Sequence, residues 1–413
     1  MATTQDPITA VLTPVIERGA LAGATTLVWQ RGEVLHRGAV GWRDIEARRP
    51  LERTDLFRIA SMTKPITSVL ALMLFEEGRF ALEDPITRFA PELSAMRVLR
   101  APGCAVDDTV PAARPITFED LLTHRSGLTY GDFLPGPLAA AYRAALGGDI
   151  DSTVAPDDWI AGLASMPLIA QPGAAFHYGH STDLLGLLIA RMEDAPLGDV
   201  LARRLFRPLG MKDTAFTVPA ETRARRAGTY GFDDDGRLVA RHTGPGGSFL
   251  AERPADMRFE SAGQGLWSTA DDYLAFARIF VGGGCVEGVR LLRPETLALM
   301  TTNRLTEAQR RDTQILGAPI FDGGHGFGLG VAVVMAPEHA IAALCAGGVG
   351  TVGWPGGFGS WWQADPTNGS VLLFMTHNLV ELEQRERRIG LGVYGAITRF
   401  HAAASALLRP ANR

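Results

Sequence analysis

Residues 61–78 read SMTKPITSVLALMLFEEG and form the most informative stretch of the chain. Apolar side chains recur at helical spacing between Ile66 and Leu74, and Gly78 supplies a helix-stop signal. Ser61 therefore stands at the start of a predicted helix. Because residues three apart share one face of a helix, we expect the Ser61 hydroxyl and the Lys64 amine to lie within hydrogen-bond reach.

This serine and lysine suit nucleophilic catalysis. A serine hydroxyl is a weak nucleophile that needs a base, and a lysine amine can be that base when its surroundings lower its pKa. Of the 40 lysine and arginine residues only Lys64 and Lys212 are lysines, and arginine cannot act as a base. The Ser61 N–H, at a helix start, is also a predicted oxyanion donor. A serine at a helix start is more often a simple N-cap, so the SxxK pattern needs support from elsewhere.

A tyrosine loop is the second element. Tyr178 stands in QPGAAFHYGHSTDLLG, just before a predicted helix, where a phenol can pass a proton to a leaving group. Packing within a loop is the commoner role of a tyrosine. His177 and His180 beside it offer the alternative of a Ser–His mechanism, but the chain contains no GxSxG motif.

A glycine-rich stretch near the C-terminus is the third element. Residues 350–362 read GTVGWPGGFGSWW, and their glycines allow close backbone approach to a ligand and a second oxyanion donor. Pro355 lacks an N–H, which predicts that this strand lies at an edge of the sheet. Four aromatic side chains offer apolar surface to an acyl or alcohol group, although strand alternation assigns about half of them to the core: Trp354, Phe358, Trp361 and Trp362.

The remaining pattern places strands at both ends of the chain and helices between them. Two hairpins, around RGE and around DPTNG, imply an antiparallel sheet. We predict an α/β (α+β) fold in which residues 1–84 and 265–413 form an antiparallel sheet flanked by helices. Residues 85–264 are predicted to form an inserted, mainly helical lobe, with a loop around the Gly-Pro-Gly-Gly run at 244–247.

In their order along the chain, the three elements resemble the serine β-lactamase-like superfamily, and they are most similar to class C β-lactamases and family VIII carboxylesterases. Supporting stretches such as LFRIASMTK, LLTHRSGL and FRPLGMKDT run through most of the chain. The resemblance implies that Ser61 is acylated, that Lys64 accepts its proton and that Tyr178 helps to protonate the leaving group. It also implies an oxyanion hole formed by the N–H groups of Ser61 and Gly357.

Two departures from the β-lactamase pattern favour an esterase. Where those enzymes carry Lys-Thr-Gly, this chain has Trp354-Pro355-Gly356, which is similar to the Trp-Gly-Gly of the esterases except at Pro355. Where they carry Tyr-x-Asn, it has Tyr178-Gly179-His180. Losing one charge-assisted contact to a β-lactam costs about 1.5–3 kcal/mol, or about 10–150-fold in affinity.

The sequence thus predicts a serine carboxylesterase that hydrolyses short- or medium-chain acyl esters through an acyl-Ser61 intermediate. We expect Trp354, Gly356, Phe358 and His180 to contact the ester. The alternatives are a β-lactamase or other amide hydrolase, an acyltransferase with the same Ser-Lys-Tyr site, and a binding protein without turnover.

Composition narrows the expected partners and location. The net charge of −5 is small for 413 residues, so neither nucleic acid nor a membrane is an expected partner. The N-terminal residues lack the basic and apolar pattern of a secretory signal, and three scattered cysteines suit a reducing compartment, so a cytoplasmic enzyme is expected. With no metal-ligand motif, we expect no metal or cofactor, and a small-molecule ester as the substrate.

Overall fold

The computed structural model describes residues 6–133, 137–148, 152–241, 258–315, 317–321 and 323–410. The loop predicted at 244–247 lies outside these residues. The strands are, in chain order, β1 (Gly23–Gln30), β2 (Glu33–Asp44), β3 (Arg49–Pro50), β4 (Phe57–Arg58), β5 (Arg97–Leu99), β6 (Thr109–Pro111), β7 (Tyr230–Phe232), β8 (Leu238–Ala240), β9 (Trp267–Ser268), β10 (Cys285–Val286), β11 (Val289–Arg290), β12 (Gln314–Ile315), β13 (Ala318–Pro319), β14 (His325–Phe327), β15 (Ala332–Val334), β16 (Val352–Gly353), β17 (Trp361–Asp365) and β18 (Ser370–Met375).

Strands from both ends of the chain form one sheet. Within the described residues it has eight strands in the order β14-β15-β16-β17-β18-β1-β2-β3, and all neighbouring pairs are antiparallel. The two predicted hairpins are its β1–β2 and β17–β18 pairs. In the first, Arg31 and Gly32 have φ values of 48° and 93°, the two positive values of a type I′ turn whose twist matches the strands. The predicted antiparallel sheet is confirmed.

The helices are, in chain order, α1 (Pro7–Glu17), α2 (Thr63–Glu76), α3 (Phe118–Leu122), α4 (Pro137–Leu146), α5 (Pro156–Ala164), α6 (Ser181–Glu193), α7 (Leu197–Leu201), α8 (Arg207–Leu209), α9 (Ala270–Ala277), α10 (Pro294–Met300), α11 (Glu307–Asp312), α12 (Leu382–Glu386) and α13 (Gly392–Ser405). A single π-helical turn, Ala202–Phe206, joins α7 to α8. None of the described helices combines the length and apolar character needed to cross a membrane.

Helices cover both faces of the sheet. On one face, Phe400 of α13 packs with Phe374 and Trp361 of the sheet, and α1 contributes to the same apolar cluster. On the other face, Trp362 packs against Tyr273 of α9, in a larger cluster that extends into α2 and the helices α3–α7. The sheet and the central helices therefore share one hydrophobic core.

The adjacent residues Trp361 and Trp362 point to opposite faces because side chains alternate along a strand. All four aromatic residues of the glycine-rich stretch are buried, with Trp354 4% exposed and Phe358, Trp361 and Trp362 fully enclosed. The expectation that only about half of them fill the core was therefore too low.

The prediction that Pro355 marks an edge strand is wrong. Strand β16 ends at Gly353 and pairs with β15 on one side and β17 on the other, so it lies inside the sheet. Pro355 follows the strand in a loop, where its missing N–H removes no hydrogen bond from the ladder.

Candidate active site

Ser61 lies in a tight turn just before α2. The turn is the 3-10 segment Ala60–Met62, and the α-helix begins only at Thr63, so Ser61 precedes the helix that was predicted to start with it. Ala60 is fully buried with φ of 45°, a left-handed conformation that costs an alanine about 1–2 kcal/mol. The surrounding structure has to impose this conformation, so backbone strain is stored next to Ser61.

The Lys64 amine is enclosed next to this turn. The residue is 1% exposed, and Nζ lies 3.4 Å from Ser61 Oγ, as the three-residue spacing predicted. Nζ donates to the Gly263 carbonyl oxygen over 2.9 Å and to the Tyr130 hydroxyl oxygen over 3.1 Å. The amine therefore has two fixed acceptors in addition to its contact with the serine.

Tyr178 also reaches Lys64, but through the face of its ring. Lys64 Nζ lies 4.5 Å from the ring centroid, at cation–π distance. The Tyr178 hydroxyl oxygen accepts a hydrogen bond of 3.0 Å from Trp354 Nε1–H. Trp354 was expected to offer apolar surface to substrate, and the structure shows that its indole N–H also holds the tyrosine.

Tyr130 and Asp183 were not identified from the sequence. Asp183 Oδ1 accepts from the Ser261 hydroxyl at 2.7 Å and from the Gly263 N–H at 3.0 Å, and the Tyr130 hydroxyl lies 3.5 Å from Oδ2. Burial alone would raise the pKa of Asp183. Its pKa is nevertheless lowered, because contacts with His180, the charge of Lys64 and the Ser261 hydroxyl outweigh burial. The sequence signal for Tyr130 was its position immediately after LLTHRSGLT.

His180 is placed away from solvent. The residue has no exposed surface, its ring packs edge-on against Tyr130 and Trp159, and its Nδ1 lies 3.5 Å from Asp183 Oδ2. The expected contact with an ester is therefore not available to His180 in this arrangement. The residue that contacts the Ser61 hydroxyl is Lys64 rather than either histidine beside Tyr178.

The glycine-rich loop packs directly on the Ser61 turn. A Cβ on Gly356 would lie 2.5 Å from the Ile59 carbonyl oxygen, so this contact requires a glycine. Gly357 is exposed, and a Cβ placed on it would lie 4.0 Å from Ala60 Cβ. Among the described residues the Gly357 N–H has no hydrogen-bond partner. This arrangement brings the predicted second oxyanion donor next to the residue before Ser61.

The fold agrees with comparisons to known proteins. The Beta-lactamase family model matches residues 8–393. The chain belongs to the Beta-lactamase family. Protein Rv1367c of Mycobacterium tuberculosis is 46% identical over 373 residues, 90% of each chain. Esterase EstB of Burkholderia gladioli is 34% identical over 385 residues, again 90% of each.

Solved structures support the same assignment. EstCE1, described as a hydrolase with promiscuous acyltransferase activity, matches with a TM-score of 0.75 and 25% identity, over 95% of this chain and 97% of its own. The family and these relatives identify the protein as a serine hydrolase or acyl-transferring enzyme of the β-lactamase fold.

In this Beta-lactamase family member, Phe358 supports the glycine loop from inside. The predicted contact of Phe358 with substrate does not fit its position, because its side chain is fully enclosed and packs 4.4 Å from the His377 ring. Burial lowers the pKa of His377 to about 4. The imidazole, with Nδ1 3.0 Å from the Ala227 carbonyl oxygen, is therefore neutral at physiological pH.

We expect His377→Asn to reduce the acid sensitivity of folding. The folded pKa is below the unfolded value, so the stability that the neutral imidazole contributes is present above about pH 6.5 and is lost as pH falls towards 4. Between pH 7 and 5 the wild type should lose about 2 kcal/mol of unfolding free energy through this group, and the variant should not. Asparagine keeps a donor for the Ala227 carbonyl. Urea denaturation of both proteins at the two pH values measures the difference, and equal losses would contradict the assignment.

Proposed function

We propose that this protein is a serine carboxylesterase, similar to family VIII, that hydrolyses short- or medium-chain acyl esters through an acyl-Ser61 intermediate. The observation that carries the proposal is the set of contacts made by the Lys64 amine. A neutral amine has two N–H groups and one lone pair. The Gly263 carbonyl can only accept, and it takes one N–H.

The Tyr130 oxygen takes the other N–H of Lys64, because the Tyr130 proton is directed to the Asp183 carboxylate. In the neutral form that the proposed reaction requires, the amine has its remaining lone pair for the Ser61 hydroxyl, 3.4 Å away. Asp183 also accepts from the Gly263 N–H, so one carboxylate orients both groups that hold the amine. This arrangement supports Lys64 as the general base of the reaction.

The proposed reaction has two halves. Ser61 Oγ attacks the ester carbonyl carbon while its proton passes to Lys64 Nζ, and the carbonyl oxygen becomes an oxyanion next to the N–H groups of Ser61 and Gly357. The C–O bond to the alcohol then breaks, and the alcohol leaves with a proton that Lys64 and Tyr178 supply. Water then attacks the acyl carbon while Lys64 takes its proton, the C–O bond to Ser61 Oγ breaks, Lys64 returns the proton to Oγ, and the carboxylic acid leaves.

The position that distinguishes esterases from β-lactamases favours an ester substrate. Trp354 stands where β-lactamases carry the lysine of Lys-Thr-Gly, and its N–H is already engaged by Tyr178. His180 stands where they carry asparagine, and it is fully buried. Neither side chain offers a β-lactam the contacts that these positions provide in β-lactamases.

Acyl transfer is the second candidate function. It is favoured by the similarity to EstCE1, which is described as a hydrolase with promiscuous acyltransferase activity. Ser61 is only 7% exposed, and an enclosed acyl-enzyme gives an added alcohol a better chance to compete with water. Both functions use the same acyl-Ser61 intermediate and differ only in the acceptor.

We expect Ser61→Ala to abolish hydrolysis of p-nitrophenyl butyrate, with a loss of about 10⁴-fold or more in kcat, because no other group can form the acyl-enzyme. The matched control is Ser68→Ala, which removes a buried serine from α2 and should keep wild-type activity. Nitrocefin is assayed alongside. Ester hydrolysis that survives in Ser61→Ala would rule out the mechanism, whereas wild-type turnover of nitrocefin comparable to that of the ester would contradict only the substrate class.

Tyr130→Phe tests the orientation of the base. The change leaves one Lys64 N–H without its acceptor in a buried site, which costs about 1–3 kcal/mol and should lower kcat about 5–150-fold with little change in KM. Tyr142→Phe is the control, since it removes another buried phenol oxygen, 3.4 Å from the Pro167 carbonyl oxygen. Equal kinetic losses in the two variants would show that Tyr130 acts only through stability.

Trp354→Phe tests the hydrogen bond to Tyr178. Deleting the indole N–H should lower kcat about 2–10-fold, the value of one hydrogen bond. In a Tyr178→Phe background the same change should have no further effect, because its partner is already missing. A double-mutant cycle on p-nitrophenyl butyrate measures this coupling, and independent, multiplicative losses would contradict it.

A further inference from the structure

A cavity lies outside the Ser61 site. It has a volume of about 350 Å³, within the range of small-molecule sites. None of the residues around Lys64 described above lines it. Its charged and aromatic lining residues are Arg43, Arg49, Arg223, Arg226, Arg241, Asp44 and Trp267. We call it the arginine cavity.

Arginine is more frequent among the residues that line the cavity than the composition of the chain predicts. The chain has 40 lysine and arginine residues, two of them lysine, which leaves 38 arginines in 413 residues. Eleven lining residues drawn at this frequency would include about one arginine, and the cavity has five. They come from three separate segments of the chain, at 43–49, 223–226 and 241, so no single segment supplies more than two of them.

The cavity is held in shape by the backbone. The Gly228 N–H donates to the Arg43 carbonyl oxygen over 2.9 Å, and the Arg241 N–H donates to the Thr229 carbonyl oxygen over 2.8 Å. Trp267, 6% exposed, forms part of the wall. The arginine side chains therefore start from fixed positions rather than from a mobile surface.

Two of the arginines are also oriented by carboxylates outside the lining. Arg43 Nη1 lies 2.9 Å from Asp55 Oδ1, and Arg241 Nη2 lies 3.2 Å from Glu381 Oε1. Arg223 and Arg226 make contacts within the chain as well. A guanidinium has five N–H donors, so an arginine that is held by one carboxylate still has donors for a ligand oxygen.

The positive charge of the lining residues favours binding of an anion. Five arginines and one aspartate, Asp44, line this space, and the carboxylates of Asp55 and Glu381 pair with only two of the five arginines. Arginine binds carboxylate and phosphate oxygens in pairs, which adds geometry to the charge attraction. A bound oxyanion would also offset the repulsion between the guanidinium groups.

We propose that the arginine cavity binds a small molecule through a multiply charged oxyanion, either a phosphate or a group of carboxylates. This site is separate from the Ser61 site and does not depend on the reaction proposed there.

The test is titration of the full chain with inorganic phosphate and with citrate, each at constant ionic strength set with NaCl. Calorimetry should give saturable binding of at least one of them, and the melting temperature should rise with its concentration, as it does for a ligand of the folded state. The two arms distinguish phosphate from carboxylate recognition. If phosphate and citrate both give no more binding heat and no larger rise in melting temperature than NaCl alone, the proposal is wrong.

Single variants locate the binding. Arg49→Gln and Arg226→Gln should each weaken the anion about 10–150-fold, the loss expected for one charge-assisted contact. Arg311→Gln is the control of equal charge change, because Arg311 lies on α11 and pairs with Asp312. Melting of each variant without ligand checks that it folds. Equal affinity in wild type and both cavity variants, or an equal loss in Arg311→Gln, would overturn the site.

Discussion

Lys64 carries an amine into the protein interior, where a polar hydrogen without an acceptor costs about 1–3 kcal/mol. Both acceptors come from outside its helix: the Gly263 carbonyl and the Tyr130 hydroxyl. Asp183, which is itself buried and therefore needs several donors, accepts from the Gly263 N–H and from the Tyr130 hydroxyl, so it holds both residues that supply these acceptors. The geometry of the amine thus depends on one carboxylate more than 100 residues away in sequence. Substituting any member leaves another buried group unsatisfied, which ties the orientation of Lys64 to the stability of the core.

The second constraint is the close contact between the Ser61 turn and the glycine loop. Ala60 adopts a left-handed conformation, and Gly356 approaches the Ile59 carbonyl so closely that no side chain fits between them. Together they bring Gly357, an exposed residue, beside the Ser61 turn. The strained conformation of Ala60 and the close contact at Gly356 both persist because the sheet and α2 hold the two segments in place.

Local patterns were sufficient to predict much of this protein. The hairpins, the antiparallel sheet and the Ser61–Lys64 contact follow from residues close together in sequence, where turn chemistry and helical spacing decide the outcome. The failures involve long-range packing. LLTHRSGLT draws attention to the segment before Tyr130, but no local pattern indicates that Tyr130 or Asp183 meets Lys64, or that aromatic rings enclose His180. Pro355 was assigned to an edge because the end of its strand, two residues earlier, could not be seen in the sequence.

The pairing of β1 with β18 has a consequence for biosynthesis. β1 ends at Gln30 and its partner begins at Ser370, so this pair of strands cannot form until the chain beyond Ser370 has been translated. Contacts between residues so distant in sequence make folding slow, and β1 stays without its β18 partner until that strand is translated. The glycine loop that completes the site is also translated late. A nascent chain therefore carries Ser61 and Lys64 long before the sheet and the glycine loop are present to position them.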